Sequence, residues 1–171
     1  MSYIFRFCPD CGEPLPHRDD PPERVVAQHC AGCGAVHFRN AKPSAGAVIV
    51  RDGKVLLGRR AHEPARGHWD IPGGFLDPWE HPAAGAVREV GEETGLTVAL
   101  KGVLDLIIDT YRGRHYVLAI YYLAEVIGGQ ERAGDDLGEL RWFGPDELPD
   151  TFAYDNCRQA LETWKRTQRH E

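Results

Sequence analysis

Three glutamates in the middle of the chain have the residue type and the spacing of a ligand set for a divalent metal ion. Glu89, Glu92 and Glu93 lie in the segment GFLDPWEHPAAGAVREVGEETGL, which runs from residue 74 to residue 96. At i, i+3 and i+4 their side chains share one face of a helix, where three like charges repel one another. The ordinary interpretation of such a face is that it is solvated. A bound cation is the alternative, since it would hold the carboxylates together.

Two neighbouring features favour the cation. Gly91 lies inside the same predicted helix, although a glycine there costs roughly 1 kcal/mol relative to alanine. Pro72-Gly73-Gly74 predicts a turn just before the helix, and its backbone carbonyls can point toward the carboxylates. Carboxylates combined with a backbone carbonyl make a hard-oxygen site, which suits Mg2+ or Mn2+ better than zinc.

Four of the five cysteines form a second candidate metal site. They occur as C-x2-C, an 18-residue gap and another C-x2-C, the spacing of a structural zinc site, at Cys8, Cys11, Cys30 and Cys33. Two disulfides or free thiols are the alternatives, and the start of the chain lacks the apolar run of a secretory signal that disulfides would call for. His29 and His37 flank the second pair and are further possible ligands. Four cysteines already complete a tetrahedron, so we expect this zinc to be structural.

The fifth cysteine has a different setting. Cys157, Ala160, Leu161 and Trp164 follow one another at i, i+3, i+4 and i+7. This spacing is typical of the apolar face of a helix. We therefore predict that Cys157 is a small core residue.

The elements that must position these groups follow from the hydrophobic pattern. Asp52-Gly53 is a two-residue hairpin signal between two apolar runs. Glycine and proline residues predict a loop over residues 61–74. Strands are expected at 45–50, 54–58, 98–109, 115–126 and 139–143, and helices at about 81–94 and from Asp155 onward. Strands outnumber helices and have mostly antiparallel spacing, which predicts an α+β sandwich.

Charge and hydropathy exclude several classes of protein. The chain of 171 residues has a formal net charge of −6, and residues 1–40 hold four arginines against five acidic residues. The basic stripe of a nucleic-acid-binding protein is therefore missing, and we expect no nucleic-acid partner. No apolar run approaches the roughly 18 residues of a membrane span, so we expect no membrane partner and a cytoplasmic location. A phosphorylated ligand would need metal ions to neutralise its charge.

The acidic segment resembles the Nudix box, G-x5-E-x7-R-E-U-x-E-E-x-G-U with U an aliphatic residue. Gly74, Glu80 and the run Arg88-Glu-Val-Gly-Glu-Glu-Thr-Gly-Leu96 match its seven fixed letters and both aliphatic positions. At roughly 7% per letter, the fixed letters alone coincide by chance with a probability of about 10⁻⁸ per starting point. The motif is therefore highly specific for the Nudix hydrolase family.

This resemblance implies a fold, a reaction and a set of site residues. The implied fold is an α/β/α sandwich with a mixed sheet over residues 41–171, preceded by a zinc ribbon at residues 1–40. The implied enzyme is a pyrophosphohydrolase that cleaves a nucleoside diphosphate linked to another group, with Mg2+ or Mn2+ for catalysis and Zn2+ in the ribbon. The implied ligands of the catalytic metal are Glu89, Glu92, Glu93 and the Gly74 carbonyl. Arg88 and Glu80 are the pair that orients the helix.

The general base and the substrate contacts depend on residues outside the box. Glu139 resembles a glutamate three residues before a tryptophan in NADH pyrophosphatases, although a surface glutamate at a strand start is the ordinary interpretation. Asp135, Asp136 and Glu125 are the other candidate bases. Trp79 stands where many family members have glycine. Candidate contacts for phosphate are Arg59, Arg60 and Arg112. Candidate contacts for a base are Trp79, Tyr111, Tyr116 and Tyr154, while a structural role remains open for each of these residues.

The resemblance to particular groups of pyrophosphatases ranks the candidate substrates. Residues 105–117 lack the S-Q-P-W-P-F-P run of NADH pyrophosphatases, whereas residues 68–74 and 143–153 are similar to plant-type FAD pyrophosphatases. FAD or ADP-ribose is therefore favoured over NAD(H), and nucleoside triphosphates come last. A regulator that uses this fold as a ligand sensor is the competing class, which the intact box argues against. A homodimer is possible because relatives often form one.

Overall fold

The computed structural model describes residues 5–15, 27–111 and 115–168. Arg112, a predicted substrate contact, lies outside the described residues. The chain divides into two compact units. Unit 1 comprises Met1–Ala41 and Thr110–Tyr116, and unit 2 comprises Lys42–Asp109 and Val117–Glu171.

Unit 1 contains two short strands and the four predicted zinc cysteines. Strands β1 (Ala27–His29) and β2 (Val36–Phe38) pair antiparallel, with Gln28 opposite His37. The second cysteine pair lies in the turn between these two strands. Each cysteine pair closes a tight turn by a backbone bond, from the Gly12 N–H to the Cys8 carbonyl at 2.9 Å and from the Gly34 N–H to the Cys30 carbonyl at 3.0 Å.

Unit 2 is built on a seven-stranded mixed sheet. Its strands follow the order β5-β4-β3-β8-β7, while β6 pairs with β3 and β9 pairs with β4. Strand β3 pairs parallel with β8 and antiparallel with β4 and β6. Strand β4 also pairs antiparallel with β5 and β9. The strands are β3 (Lys42–Arg51), β4 (Lys54–Arg60), β5 (Trp69–Asp70), β6 (Gly73–Phe75), β7 (Leu96–Tyr111), β8 (His115–Gly129) and β9 (Leu137–Phe143).

The helix that carries the glutamates has well-defined ends. Helix α1 spans Pro82–Thr94, with Pro82 in its first turn, where a missing N–H costs nothing. The His81 Nδ1 accepts the Ala83 N–H at 3.2 Å and so caps the start of the helix. Gly95 ends it with a φ of 68°, a left-handed conformation that suits glycine, and its N–H donates to the Gly91 carbonyl at 3.0 Å.

The two helices cover opposite faces of the sheet. Val90 of α1 packs with Ala47 and Ile49, whereas Trp164 of helix α2 (Asp155–Gln168) packs in the cluster that contains Val48. Alternate residues of a strand point to opposite faces, so neighbouring positions of β3 face different helices. The predicted apolar face of α2 is confirmed, since Cys157, Ala160, Leu161 and Trp164 are all buried. The predicted α/β/α sandwich with a mixed sheet is confirmed.

Local details differ from the sequence-based expectation. Residues 61–74, predicted as a loop, contain β5 and the start of β6. Gly73 lies so close to β3 that a Cβ there would approach the Gly46 Cα to 2.5 Å, so the glycine that suggested a loop is required by strand pairing. The parallel pairing of β3 with β8 was not predicted, because it depends on the crossover through α1 and not on any local pattern.

Candidate active site

The glutamates of α1 differ in their exposure to solvent. Glu89 and Glu93 are 9% and 4% exposed, whereas the Glu92 side chain is 51% exposed. Glu89 and Glu93 are four residues apart, so both lie on the side of the helix that packs near β6 and β3. Glu92 lies beside them on the water-facing side.

Strand β6 approaches these two glutamates through its glycines. A Cβ on Gly74 would lie 2.6 Å from the Glu89 carboxyl carbon, so a side chain at this position would displace the Glu89 carboxylate. The Gly73 N–H donates to Glu93 Oε2 at 2.9 Å. The backbone of Gly73 and Gly74 therefore packs directly against both buried carboxylates.

Arg88 reduces the repulsion between the carboxylates along the helix, because its positive charge lies among them. Its guanidinium donates to both oxygens of Glu80, each at 2.8 Å. The same group donates to Glu89 Oε1 at 2.8 Å and to Glu92 Oε2 at 3.0 Å. These bonds hold the pKa of Glu80 at about 2 and raise the pKa of Arg88. One cation thus contacts three carboxylates, including that of Glu80, its predicted partner.

Glu93 lies apart from that ion-pair network. Burial raises its pKa to about 9, opposed by the Gly73 N–H and reinforced by the negative charges of Asp70 and Glu89. Burial also raises the pKa of Glu89, and the nearby Asp135 adds to that rise. Buried carboxylates of this kind are stabilised by a cation, because a positive charge offsets the cost of removing them from water.

The residues present fit a hard divalent cation. Two buried carboxylates lie against a glycine backbone, with one exposed carboxylate on the same helix, and the close approach at Gly74 leaves no room for a side chain. The oxygens of the three glutamates do not all lie within 4.8 Å of one another. All of the donors are oxygens, which Mg2+ and Mn2+ prefer. Glu89, Glu92, Glu93 and the Gly74 carbonyl would hold the ion.

The structure pairs two other predicted residues with each other. Glu139 lies in β9 opposite Arg59 of β4, and the Arg59 Nη1 donates to Glu139 Oε2 at 3.3 Å. Both side chains are about half exposed. Asp135, a second candidate base, precedes β9 and is near enough to Glu89 to affect its pKa.

The predicted aromatic contacts lie in different parts of the chain. The Trp79 side chain is 92% exposed in the loop between β6 and α1, next to Glu80. Tyr111 ends β7 and belongs to unit 1. Trp79 is thus open to solvent, one residue before the partner of Arg88.

Asp70 of the site was not predicted, and Arg60 was predicted only as a candidate phosphate contact. Asp70 of β5 is 8% exposed, and burial raises its pKa to about 7. Arg60 of β4 lies 3.5 Å from an Asp70 oxygen and 3.0 Å from an Asp136 oxygen. The negative charge of Asp70 raises the pKa of Glu93, and the positive charge of Arg60 lowers it. The sequence signal that could have indicated Asp70 is a single aspartate between the apolar residues Trp69 and Ile71.

The four cysteines of unit 1 also lie together. Their sulfurs are mutually within 4.8 Å, with 3.7 Å between Cys8 and Cys33 and 3.6 Å between Cys11 and Cys30. Tetrahedral Zn–S bonds of about 2.3 Å would separate the sulfurs by about 3.8 Å, so the cluster has the size of a zinc site. The His37 Nε2 is 3.2 Å from the Cys8 sulfur. His37 is therefore a neighbour of the cluster, as its position in the sequence suggested.

Comparison with known proteins identifies the family. The structure combines a mixed sheet between two helices with a helix that carries glutamates beside the glycines of β6. The NUDIX domain family matches residues 41–162. The chain belongs to the Nudix hydrolase family.

Individual relatives carry more specific names. The chain is 35% identical over 120 residues to the ADP-ribose pyrophosphatase of Methanocaldococcus jannaschii, which covers 69% of this chain and 71% of that protein. It is 31% identical over 148 residues to the NAD-capped RNA hydrolase NudC of Chromobacterium violaceum, covering 86% of this chain but only 53% of that protein.

A solved structure of a Nudix hydrolase from Nitrosomonas europaea aligns with almost the whole chain. The alignment covers 97% of this chain and 93% of the other, with a TM-score of 0.79 and 27% identity. Of the helices among the described residues, neither has both the length and the apolar character that a bilayer crossing requires.

Proposed function

We propose that the protein hydrolyses the diphosphate linkage of a nucleoside diphosphate joined to a second group, with ADP-ribose as the favoured substrate. The observation that carries the proposal is the burial of Glu89 and Glu93 against Gly73 and Gly74. The similarity to an ADP-ribose pyrophosphatase supports the choice of substrate. FAD, which the sequence favours equally, is the first alternative within the same reaction class.

Each residue of the cluster has a proposed task. Bound Mg2+ or Mn2+ would supply neutralisation of the diphosphate oxygens and activation of water. Arg88 keeps the Glu89 and Glu92 carboxylates in place through hydrogen bonds of 2.8 and 3.0 Å. The Gly73 N–H fixes one oxygen of Glu93. These contacts restrict the individual carboxylates before substrate arrives, which lowers the cost of ordering them around an ion.

The proton of the attacking water needs an acceptor, for which we propose Glu139. Its carboxylate pairs with Arg59 and is half exposed, so a water molecule can reach it. Asp135 is the alternative acceptor, since its charge already acts on Glu89. For the substrate we propose that Arg59 contacts phosphate and that Trp79 stacks on the base. Tyr111 and Arg112 stay sequence-based candidates, for base stacking and for a phosphate contact.

We further propose that Cys8, Cys11, Cys30 and Cys33 bind one structural Zn2+. The sulfur separations of 3.6 and 3.7 Å support this assignment. On this proposal residues 1–40 form the zinc ribbon and residues 41–171 the hydrolase domain.

Hydrolysis of NAD(H) or of an NAD-capped RNA is a second candidate. The likeness to an NAD-capped RNA hydrolase extends over 86% of this chain, beyond the residues that match the NUDIX domain. The same chemistry would apply, since NAD contains a diphosphate between two nucleosides. The absence of a basic stripe in the sequence favours the small substrates.

A substrate panel tests the proposal. ADP-ribose, FAD, NADH, an NAD-capped RNA, dGTP and AMP are each incubated with the protein and Mg2+ or Mn2+, and the products are separated by chromatography. We expect AMP and ribose 5-phosphate from ADP-ribose, with kcat/KM above that for NADH, and no reaction with AMP. No cleavage of any diphosphate with either ion would refute the function. A kcat/KM at least about tenfold higher for NADH or NAD-capped RNA, about 1.4 kcal/mol in transition-state binding, would replace ADP-ribose by the second candidate.

A further inference from the structure

The segment that follows β8 lies directly along the end of helix α1. We call residues 129–134 the 129–134 segment. Its N–H groups donate to three successive carbonyls at the helix end: Gln130 to Gly95 at 3.1 Å, Arg132 to Thr94 at 2.8 Å and Gly134 to Glu93 at 2.9 Å. The last carbonyls of a helix lack donors within the helix, and here one segment supplies them.

The contact is between two backbones, without side chains in between. A Cβ on Gly134 would lie 2.7 Å from the Glu92 carbonyl oxygen, well inside the 3.4 Å at which ordinary contact begins. A Cβ on Gly95 would collide with the Gln130 carbonyl oxygen, and one on Gly129 would collide with the Gly95 carbonyl oxygen. The segment can therefore lie this close only because these positions are glycines.

The residues that directly follow the 129–134 segment are hydrogen-bonded to the sheet. The Ala61 N–H donates to the Asp136 carbonyl at 2.8 Å, and the Arg60 Nη2 donates to Asp136 Oδ2 at 3.0 Å. The Leu137 N–H donates to the Gly134 carbonyl at 3.0 Å, at the start of β9. The segment thus connects β4 and β9 to the last turn of α1.

Glu93 is the residue on which these contacts converge. Its carbonyl accepts the Gly134 N–H, and its carboxylate accepts the Gly73 N–H. We infer that the 129–134 segment is a positioning element for the metal site, which sets where the carboxylates of Glu92 and Glu93 lie relative to β6. The inference rests on the proposed function, because it assumes that these carboxylates bind the ion.

The size of the expected effect follows from the geometry. An added methyl group at Gly134 must move away from Glu92 by about 0.7 Å to reach ordinary contact, and the hydrogen bond to Glu93 is strained or lost with it. Misplacement of a catalytic group by about 1 Å can lower turnover by about 100-fold. A segment that only capped the helix would, when perturbed, lower stability and leave the metal affinity of the folded protein unchanged.

Gly134→Ala tests the inference, with Gly91→Ala as the matched control. Gly91 lies in the same helix with nothing within 4 Å of an added Cβ, so its replacement should leave the site alone and stabilise the helix. The Mn2+ dissociation constant is measured from the electron paramagnetic resonance signal of free Mn2+, beside kcat for ADP-ribose at saturating Mn2+ and the thermal unfolding temperature. For Gly134→Ala we expect a Mn2+ dissociation constant at least about fivefold higher and a kcat at least about tenfold lower. For Gly91→Ala we expect the wild-type Mn2+ dissociation constant and kcat, with an unfolding temperature at or above that of the wild type.

Different results separate the failure of this inference from the failure of the proposed function. If the wild-type protein binds Mn2+ and Glu93→Gln does not, yet Gly134→Ala binds Mn2+ like the wild type, the segment is only a structural cap and the inference is wrong. If Glu93→Gln binds Mn2+ as well as the wild type does, the proposed metal site itself is wrong. Should Gly134→Ala fail to fold, Ala133→Gly decides, because it adds no atom and only loosens the segment. We expect it to weaken Mn2+ binding by about two- to threefold, and an unchanged affinity would overturn the inference.

Discussion

Replacing Glu93 by glutamine should stabilise the protein when Mg2+ and Mn2+ are absent. The Glu93 side chain is 4% exposed, and burial raises its pKa from the ordinary 4.5 to about 9. Between these two values the folded protein keeps the proton while the unfolded chain releases it. Rising pH therefore favours the unfolded chain and lowers the stability of the wild type across this window. Glutamine has no such proton and can still accept the Gly73 N–H.

The magnitude follows from the same pKa values. Each pH unit above 4.5 costs the wild type about 1.4 kcal/mol. Glu93→Gln should therefore raise the free energy of unfolding by on the order of 3 kcal/mol at pH 7 and by only about 1.4 kcal/mol at pH 5.5. Below pH 4.5 the gain should disappear, since both folded and unfolded wild type are then protonated.

Urea unfolding at pH 5.5 and pH 7 measures this difference. The protein is dialysed against buffer without Mg2+ or Mn2+, and no chelator is added, so that zinc stays in place. Glu162→Gln is the control, because its side chain on α2 is 57% exposed and its replacement should give no pH-dependent gain. Addition of Mn2+ should reverse the order, since only the wild type gains stability from binding. Equal stability of Glu93→Gln and wild type at pH 7, or a gain of the same size at both pH values, would refute the reasoning.

Three further predictions concern other parts of the two sites. Gly74→Ala places a methyl group against the Glu89 carboxylate and should raise the Mn2+ concentration for half-maximal activity at least about tenfold, whereas an unchanged Mn2+ titration would show that the close approach is not needed. Glu139→Gln should lower kcat by about 100-fold with little change in KM if Glu139 accepts the proton, and a loss below threefold would transfer that role to Asp135. Cys30→Ser should remove zinc from the protein, as measured by elemental analysis, and lower the unfolding temperature; a wild-type protein purified without chelator that holds no zinc would contradict the assignment.

The sequence predicted best those features that depend on local signals. Pro82 and Gly95 bounded the helix correctly, because each has a backbone preference specific to a helix end. The i, i+3, i+4 spacing predicted one cluster of glutamates, but it did not separate the exposed Glu92 from the buried Glu93. That difference arises from the packing of α1 on β3 and β6, which the spacing alone does not define.

The remaining features depend on residues that meet only after the chain folds. Asp70 reaches Arg60 because β5 pairs with β4, placing Gly58 opposite Asp70. Strand β6 forms from glycines that predict a loop, because its pairing with β3 requires the close approach at Gly46. The contact of Gly134 with Glu93 joins residues 41 positions apart along the chain. No local pattern reports such contacts.

Hydrolysis of ADP-ribose in ¹⁸O-labelled water tests the central claim most directly. If the carboxylates of α1 hold the metal ions at the diphosphate, water attacks a phosphorus of the P–O–P linkage. Mass spectrometry should then find one ¹⁸O on the phosphate of either AMP or ribose 5-phosphate and none in adenine or the ribose ring. This product should require Mg2+ or Mn2+ and should fall by at least about 100-fold in Glu93→Gln. Label in the ribose ring, release of free adenine, or undiminished cleavage by Glu93→Gln would contradict the account.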